Sequence, residues 1–547
     1  MKNLAVSCGQ SLILLLLGGI LTFTFTLVTL RGHLPGRLVH EAAVHWLWPL
    51  DLYGSNYAYT PYSTIIKKDN SSLEQSSPNQ HPCHPQGLHI AQADSVGDDG
   101  LVSFTVTLHV DFDACPHAVP AVVYGQHWWQ RGTAVHGISP LQFNYTQKAD
   151  AHVFTSPWIW HITLPNLRAG PKMYWYKVVV YDGSQKHYHR YPVAASTFLY
   201  FRTPPRRGAP TTMALLGDLG QTTDSARTIA HMRKAVDWAH APVTQLLLAG
   251  DLSYADGDPN RWTSWFDLVE PLSSRLALHV AAGNHEIERD HASDLPFVPY
   301  EHYFRVPNRL ADADVQPSPW DWGWKTHWYN FGNAFYTYEH GLAQIIVLSS
   351  FSDTSVDSVQ YDWLVDVLDN GVDRTATPWL IVAFHAPWYT TFRGHVNESA
   401  AQIMRKAMEP LFQQYGVNLV VSGHDHAYMR TYPLYQGNVI DDNSDNNVTA
   451  PIYLTVGAGG NREHHAPGYR NATIAEPWVA ARQRSEYGYG HLQLVNATHA
   501  LFQWIGNGAP LDDADDDSSD TVTKIWPRLR VHDRVWFTNP HVVTTQK

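Results

Sequence analysis

The chain has 547 residues, 44% of them hydrophobic and 16% charged, which is enough for two or three domains with sizeable cores and excludes wholesale disorder. The formal net charge of -12 argues against nonspecific binding to nucleic acid, which needs a basic face. The 32 histidines outnumber what any one site could use, so most are expected to be ordinary surface or core residues.

The first predicted element is a nearly uninterrupted apolar stretch from Leu12 to Leu30, preceded by Lys2. It reads as a signal peptide or signal anchor over residues 1–33, with a buried core helix as the alternative. Arg31 and Arg37 follow it, so the flanking charge leaves the orientation open. Residues 34–84 form an irregular N-terminal segment. Cys8 lies in the leader, which leaves Cys83 and Cys115 as a candidate disulfide in an oxidising compartment, or else as two inert thiols. Glycosylation sequons occur at Asn70, Asn144, Asn397, Asn447, Asn471 and Asn496, and their use requires entry into a secretory pathway. Together these features predict a secreted or otherwise extracytosolic protein, touching a membrane through residues 12–30 if at all.

From about residue 85 the pattern changes to short alternating strands, among them Val102–Leu108, Ala121–Gly125 and Met173–Val178. With turn residues between them and no long amphipathic helix, they predict a β-sandwich over 85–203. Thr203-Pro204-Pro205-Arg206-Arg207-Gly208-Ala209-Pro210 has linker composition. Beyond it the spacing predicts a buried strand at Met213–Leu216, a helix over 225–240 capped by Asp224, and further buried strands at Gln245–Ala249, Leu278–Ala281, Gln344–Leu348, Leu380–Ala383 and Asn418–Val421. Such alternation implies crossover units and a largely buried sheet, here over 204–505. Residues 506–547 form an acidic C-terminal extension. Its run Asp512, Asp513, Asp515, Asp516, Asp517 and Asp520 reads as a solvated loop, with a calcium site as the alternative. Ile525-Trp526 and Val535-Trp536-Phe537 read as extra strands.

Five motifs follow the apolar runs: Gly217-Asp218-Leu219-Gly220, Gly250-Asp251-Leu252-Ser253-Tyr254, Gly283-Asn284-His285-Glu286, Val382-Ala383-Phe384-His385 and Gly423-His424-Asp425-His426. Loops at the carboxyl ends of strands in crossover sheets converge on one crevice, so five strand ends can deliver these oxygen and imidazole donors to one place. Taken singly, each motif is a turn glycine with a capping residue, and His385 alone is a core histidine. As an ordered set they supply enough ligands for two adjacent metal ions, which points to hydrolysis of a phosphate ester.

With Tyr254 included, the set resembles the purple acid phosphatases, within the calcineurin-like metallophosphoesterases, and looks most like their larger two-domain form. The resemblance extends over about 85–505 and takes in Phe201-Arg202-Thr203-Pro204-Pro205, Gly457-Ala458-Gly459-Gly460-Asn461 and Asn496-Ala497-Thr498-His499. It implies an α/β (α+β) fold, a four-layer β-sandwich-with-helices metallophosphoesterase domain preceded by an all-β fibronectin III-like sandwich. It also implies a dinuclear metal centre. Fe(III) would be held by Asp218, Asp251, Tyr254 and His426, and Zn(II), Fe(II) or Mn(II) by Asp251, Asn284, His385 and His424. The division is chemically sensible, because a phenol gives up its proton readily only to a strongly acidic ion, whereas amide and imidazole donors suit a divalent one. Hydroxide generated at the pair would attack a small phosphate monoester. Asn284, His285 and His395 would contact the substrate, with His285 and His395 as the catalytic histidines. The family often shows a His-His pair where this chain has Gly394-His395, so the proton donor is either His395 or His285 alone. Competing readings are a phosphodiesterase or nucleotide pyrophosphatase on the same centre, a centre with divalent ions only, and a non-catalytic surface binding protein.

Overall fold

In the computed structural model of the protein, the described residues are 81–127, 132–147, 152–185, 191–236, 242–311, 329–440, 450–471, 475–508 and 530–544. The expected leader, the irregular segment up to residue 80, Asn70, Asn447, the acidic run and Ile525-Trp526 lie outside them. Among the described residues, no helix is long and apolar enough to cross a membrane.

The N-terminal part is a β-sandwich. Strands β1 (Gln86–Gln92), β2 (Leu101–Val110), β3 (Ala118–Gly125), β4 (Thr133–His136), β5 (Trp158–Arg168), β6 (Met173–Asp182) and β7 (Leu199–Arg202) form two antiparallel sheets, ordered β1-β2-β5 and β7-β6-β3-β4. Val102, Phe104, Val106 and Leu108 of β2 share a core with Val122 of β3, Tyr176 and Val178 of β6 and Phe201 of β7. Cys83 and Cys115 are joined by a disulfide within that core.

Strand β2 alternates apolar and polar residues, yet Thr105, Thr107 and His109 are buried along with the apolar ones. The second face is covered by the following domain. His109 packs edge-on against Phe266 at 4.7 Å, and His89 of β1 stacks on the same ring at 4.9 Å. His161 Nε2 donates to the carbonyl of His302, so its Nδ1 accepts from the hydroxyl of Thr107. Burial holds the imidazoles of His89, His109 and His161 well below the usual range for histidine. The segment 203–210 has no regular structure, but it is not a loose spacer, because Arg207 makes a bidentate pair with Glu339 at 2.7 and 2.9 Å.

After the sandwich come strands β8 (Thr211–Leu216), β9 (Gln245–Leu248), β10 (Ala277–Val280), β11 (Tyr336–His340), β12 (Ala343–Val347), β13 (Trp379–Ala383), β14 (Leu419–Ser422), β15 (Tyr428–Thr431), β16 (Ile452–Val456), β17 (Val479–Gln483), β18 (Gly488–Leu494), β19 (His499–Gly506) and β20 (Arg530–Thr538). They make two mixed sheets, ordered β10-β9-β8-β18-β19-β20 and β11-β12-β13-β14-β16-β15-β17. Strands β8, β9 and β10 are parallel, with Leu215 beside Leu247 and Leu247 beside His279; β13 and β14 are parallel, with Val382 beside Val420. Both sheets contribute to one hydrophobic core, which includes Leu215, Leu247, Ile345, Ile381 and Val420. The strand containing Val535-Trp536-Phe537 closes the edge of the first sheet, and its Asp533 is paired with Arg430 at 2.7 Å.

The first helix runs from Thr223 to Val236. Its cap differs from the expectation. Thr222 accepts from the backbone of Asp224 and Ser225, while Asp224 sits inside the first turn and accepts from Arg227. Both residue types can cap a helix, and the choice was set by where the Gly220 turn ends, which propensity does not encode.

His340 joins the two domains. Its Nε2 meets Thr244 Oγ1 at 2.8 Å and its Nδ1 faces Gln92 Oε1 at 3.3 Å. Burial pushes this imidazole down to about 3, so the unfolded chain takes up a proton before the native one does. Its contribution to stability is therefore full above about pH 6.5 and is lost as pH falls toward 3. Relative to wild type, His340→Gln is expected to gain about 2 kcal/mol in unfolding free energy between pH 7 and pH 5, read from denaturant curves at both values. A constant gap would show that His340 titrates normally.

Candidate metal centre

Asp218, Asp251, Asn284, His385 and His424 each follow the carboxyl end of a strand, β8, β9, β10, β13 and β14 respectively. The chain must turn sharply there, and Asp218, Asp251, Tyr254 and His424 all have left-handed backbone, with φ of 55°, 54°, 53° and 69°. Non-glycine residues in that region cost on the order of 1 kcal/mol each and cluster at functional sites. Gly250, at φ 89°, has no such cost, and a Cβ there would strike the imidazole of His385. A Cβ on Gly283 would strike the carboxylate of Asp251.

The seven predicted ligands come together. His385 Nε2 lies 3.1 Å from Asp251 Oδ2, 3.1 Å from Asn284 Oδ1 and 3.1 Å from His424 Nδ1. Tyr254 Oη lies 3.0 Å from His426 Nε2 and 3.3 Å from Asp218 Oδ1, and His426 Nε2 is 3.4 Å from that same oxygen. Asp218 Oδ2 accepts from the backbone of His424 at 2.8 Å, tying one group to the other.

These residues fit metal ions on three counts. Ligand atoms of Asp251, His385 and His424 all lie within 4.8 Å of one another and are buried. Around His385 Nε2, which carries at most one hydrogen, a carboxylate, an amide oxygen and an imidazole nitrogen converge, so acceptors outnumber donors and a cation is the natural complement. Each histidine also commits its other ring nitrogen, as metal-binding imidazoles do: His385 Nδ1 donates to the Ala249 carbonyl at 2.7 Å, His426 Nδ1 to the His464 carbonyl at 2.9 Å and His424 Nε2 to Glu398 at 2.8 Å. Electrostatics agree. Burial opposes charge on His385, but Asp251 overrides it and pushes the imidazole up to about 10, while Asp251 itself, despite burial, is held well below the usual carboxylate range by His385 and His285. Burial, then Asp218 and Asp251, pushes the Tyr254 phenol well above 10, so a strongly acidic cation is needed to ionise it.

The two outer histidines flank this cluster. The ring of His285 lies 4.0 Å from that of Tyr254; its Nδ1 is bonded to Asp256, and its Nε2 points toward Asp251 at 3.8 Å and Glu463 at 3.6 Å. Burial lowers its basicity, but Asp251, Asp256 and Glu463 together raise it to about 9. His395 stacks on His424 at 3.7 Å and donates from Nδ1 to Asp425 at 3.0 Å. Asp256, Glu398, Glu286 and Asp425 are participants that sequence reasoning missed. Glu286 and Asp425 stood inside quoted motifs; Asp256 and Glu398 carry no local signal. Of the described sequons, Asn144, Asn397, Asn471 and Asn496 are exposed.

The calcineurin-like phosphoesterase family model matches residues 211–428, and the iron/zinc purple acid phosphatase-like protein C family model matches 450–518. Purple acid phosphatase 18 of Arabidopsis thaliana is 34% identical over 363 residues, covering 64% of this chain and 73% of that protein. Fe(3+)-Zn(2+) purple acid phosphatase 12 of the same plant is 31% identical over 480 residues, covering 83% and 87%. The phosphoenolpyruvate phosphatase of Allium cepa is 34% identical over 437 residues, covering 77% and 79%. The purple acid phosphatase PPD1 from yellow lupin seeds shares the fold, with a TM-score of 0.64 at 20% identity over 84% of this chain and 75% of that one. Relatives 31% to 34% identical that align along 73% to 87% of their own length, together with the two family matches, place the chain among the purple acid phosphatases.

Proposed function

We propose that this chain is an exported acid phosphatase that hydrolyses phosphate monoesters at a dinuclear Fe(III)–Zn(II) centre, the pair named for the Arabidopsis relative. Asp218, Asp251, Tyr254 and His426 would hold the ferric ion, Asp251, Asn284, His385 and His424 the zinc, with Asp251 shared. When bound, the metals polarise the phosphoryl oxygens and acidify water. The observation that carries this reading is the convergence of acceptors on His385 Nε2 beside a buried phenol. The chain's own residues do the rest. His285, with Nδ1 held by Asp256, aims Nε2 at the cluster, where a phosphate oxygen would meet it. His395 supplies the leaving alkoxide with a proton at acidic to neutral pH. Export is supported by the Cys83–Cys115 disulfide and the exposed sequons. The β-sandwich is read as fibronectin III-like.

The test is hydrolysis of p-nitrophenyl phosphate by protein whose iron and zinc are measured in parallel. Activity tracking occupancy by both metals is expected, and full activity in metal-free protein would end the reading. Tyr254→Phe is expected to abolish or shift the visible ferric–phenolate band; an unchanged spectrum would remove Tyr254 as a ligand.

A further inference from the structure

We infer that Asp425 is the positioning residue for His395, and that the two act as one unit. The inference rests on the reading of His395 as proton donor given above. Asp425 stands between two predicted ligands in sequence, yet among the described residues its oxygens bond elsewhere. Oδ1 accepts from His395 Nδ1 at 3.0 Å and Oδ2 accepts the hydroxyl of Thr390. Asp425 is 1% exposed, so these bonds are shielded from water. A carboxylate accepts and cannot donate, so Nδ1 must carry a hydrogen, and the reacting proton is confined to Nε2.

The ring of His395 is fixed in two independent ways. Its plane is set by stacking on His424, with centroids 3.7 Å apart and 20° between the rings. Stacking alone permits a half-turn about the Cβ–Cγ bond, which would exchange the nitrogens for carbons. The bond to Asp425 selects one of the two orientations. Thr390 in turn holds the second carboxylate oxygen, so Asp425 cannot swing away. In the reaction, the bond from phosphorus to the leaving oxygen breaks with its electron pair going to that oxygen. The proton on His395 Nε2 passes to the same oxygen, and water's oxygen makes the new bond to phosphorus and carries its two hydrogens into the phosphate product. The neutral imidazole keeps its Nδ1 hydrogen on Asp425 until a proton from that product or from solvent restores Nε2–H.

Three single variants and one double variant test the inference against two substrates, an alkyl phosphate, whose leaving group needs a proton, and p-nitrophenyl phosphate, whose leaving group does not. Asp425→Ala frees the ring and is expected to lower kcat on the alkyl phosphate by about 10–100-fold, the usual cost of losing a residue that orients a functional imidazole, and on p-nitrophenyl phosphate by less than about 3-fold. Asp425→Asn keeps an acceptor for His395 and can donate to the Thr390 oxygen, so it is expected to restore most of the alkyl phosphate rate. His395→Ala should show the same selectivity, and the double variant should be no slower than His395→Ala alone, because the second residue acts through the first. Iron and zinc content should match wild type throughout. Selective loss in His395→Ala with equal losses on both substrates in Asp425→Ala, or losses that multiply in the double variant, would overturn the inference alone. Equal losses in His395→Ala would overturn the proton-donor reading and the inference with it.

Discussion

Asp251→Ala is expected to lower kcat/KM on any phosphate monoester by about four orders of magnitude or more and to leave a protein that retains neither metal on dialysis. Among the described residues, Asp251 is the carboxylate that groups with His385 and His424, and its Oδ1 also accepts from the backbone of His285 at 3.0 Å. A shared ligand contributes charge to both sites, so its removal weakens both. His385 would also lose the charge that offsets its burial, since Asp251 is the main group raising its basicity. Alanine brings a separate cost, because residue 251 has a left-handed backbone, which asparagine tolerates better. Asp251→Asn is therefore the sharper variant, keeping shape and backbone but not charge. Elemental analysis and circular dichroism should show both variants folded and metal-depleted. Retention of both metals with less than about a tenfold loss of activity would mean that the carboxylate is not shared.

How much of this site could be read in advance depended on where each residue's partner lies. The convergence of Asp218, Asp251, Asn284, His385 and His424 was legible because each stands where a buried run ends in a donor. Tyr254 entered as a proposed ligand through the family resemblance, as did the grouping of His426 with it, and the structure brings both beside Asp218. Asp425 occupied the unspecified letter of G-H-x-H, and its partner His395 lies 30 positions away, so nothing local distinguished it from a turn residue. Glu398 meets His424 across 26 positions for the same reason. The sandwich showed the converse limit. Thr105 and Thr107 are polar letters of the predicted strand Val102–Leu108, yet both are buried, and His109 just beyond it is covered by Phe266 and Tyr303. Periodicity reports which side of a strand is apolar, not what a later segment will place against the other.

Glu286→Ala is expected to destabilise the fold by about 3–5 kcal/mol and to release metal, although this residue is not among the proposed ligands. Glu286 is completely buried. Its Oε2 accepts from the backbone of Asp251 and of Gly283, each at 2.9 Å, and its Oε1 accepts from the backbone of Leu252 at 2.9 Å. One carboxylate thus gathers the peptide donors of two ligand loops, at the point where the chain takes its left-handed turn at Asp251. Burial, then the nearby charge of Asp251, pushes the Glu286 carboxyl up to about 7, so its placement is costly in itself and the three donors are what offset that cost. Alanine would leave those N–H groups buried without an acceptor, at about 1–3 kcal/mol each before relaxation. Glutamine should not rescue the variant. It offers one oxygen where two are used, and its amide nitrogen would face peptide N–H groups, donor against donor. The contrast with Asp425 is informative, since one oxygen of Asp425 meets a hydroxyl that can accept as well as donate, which is why asparagine suffices there. Unfolding midpoints and metal content of Glu286→Ala and Glu286→Gln settle the matter. If Glu286→Gln were as stable as wild type and fully metallated, these three bonds would not be what holds the Asp251 and Asn284 loops in place.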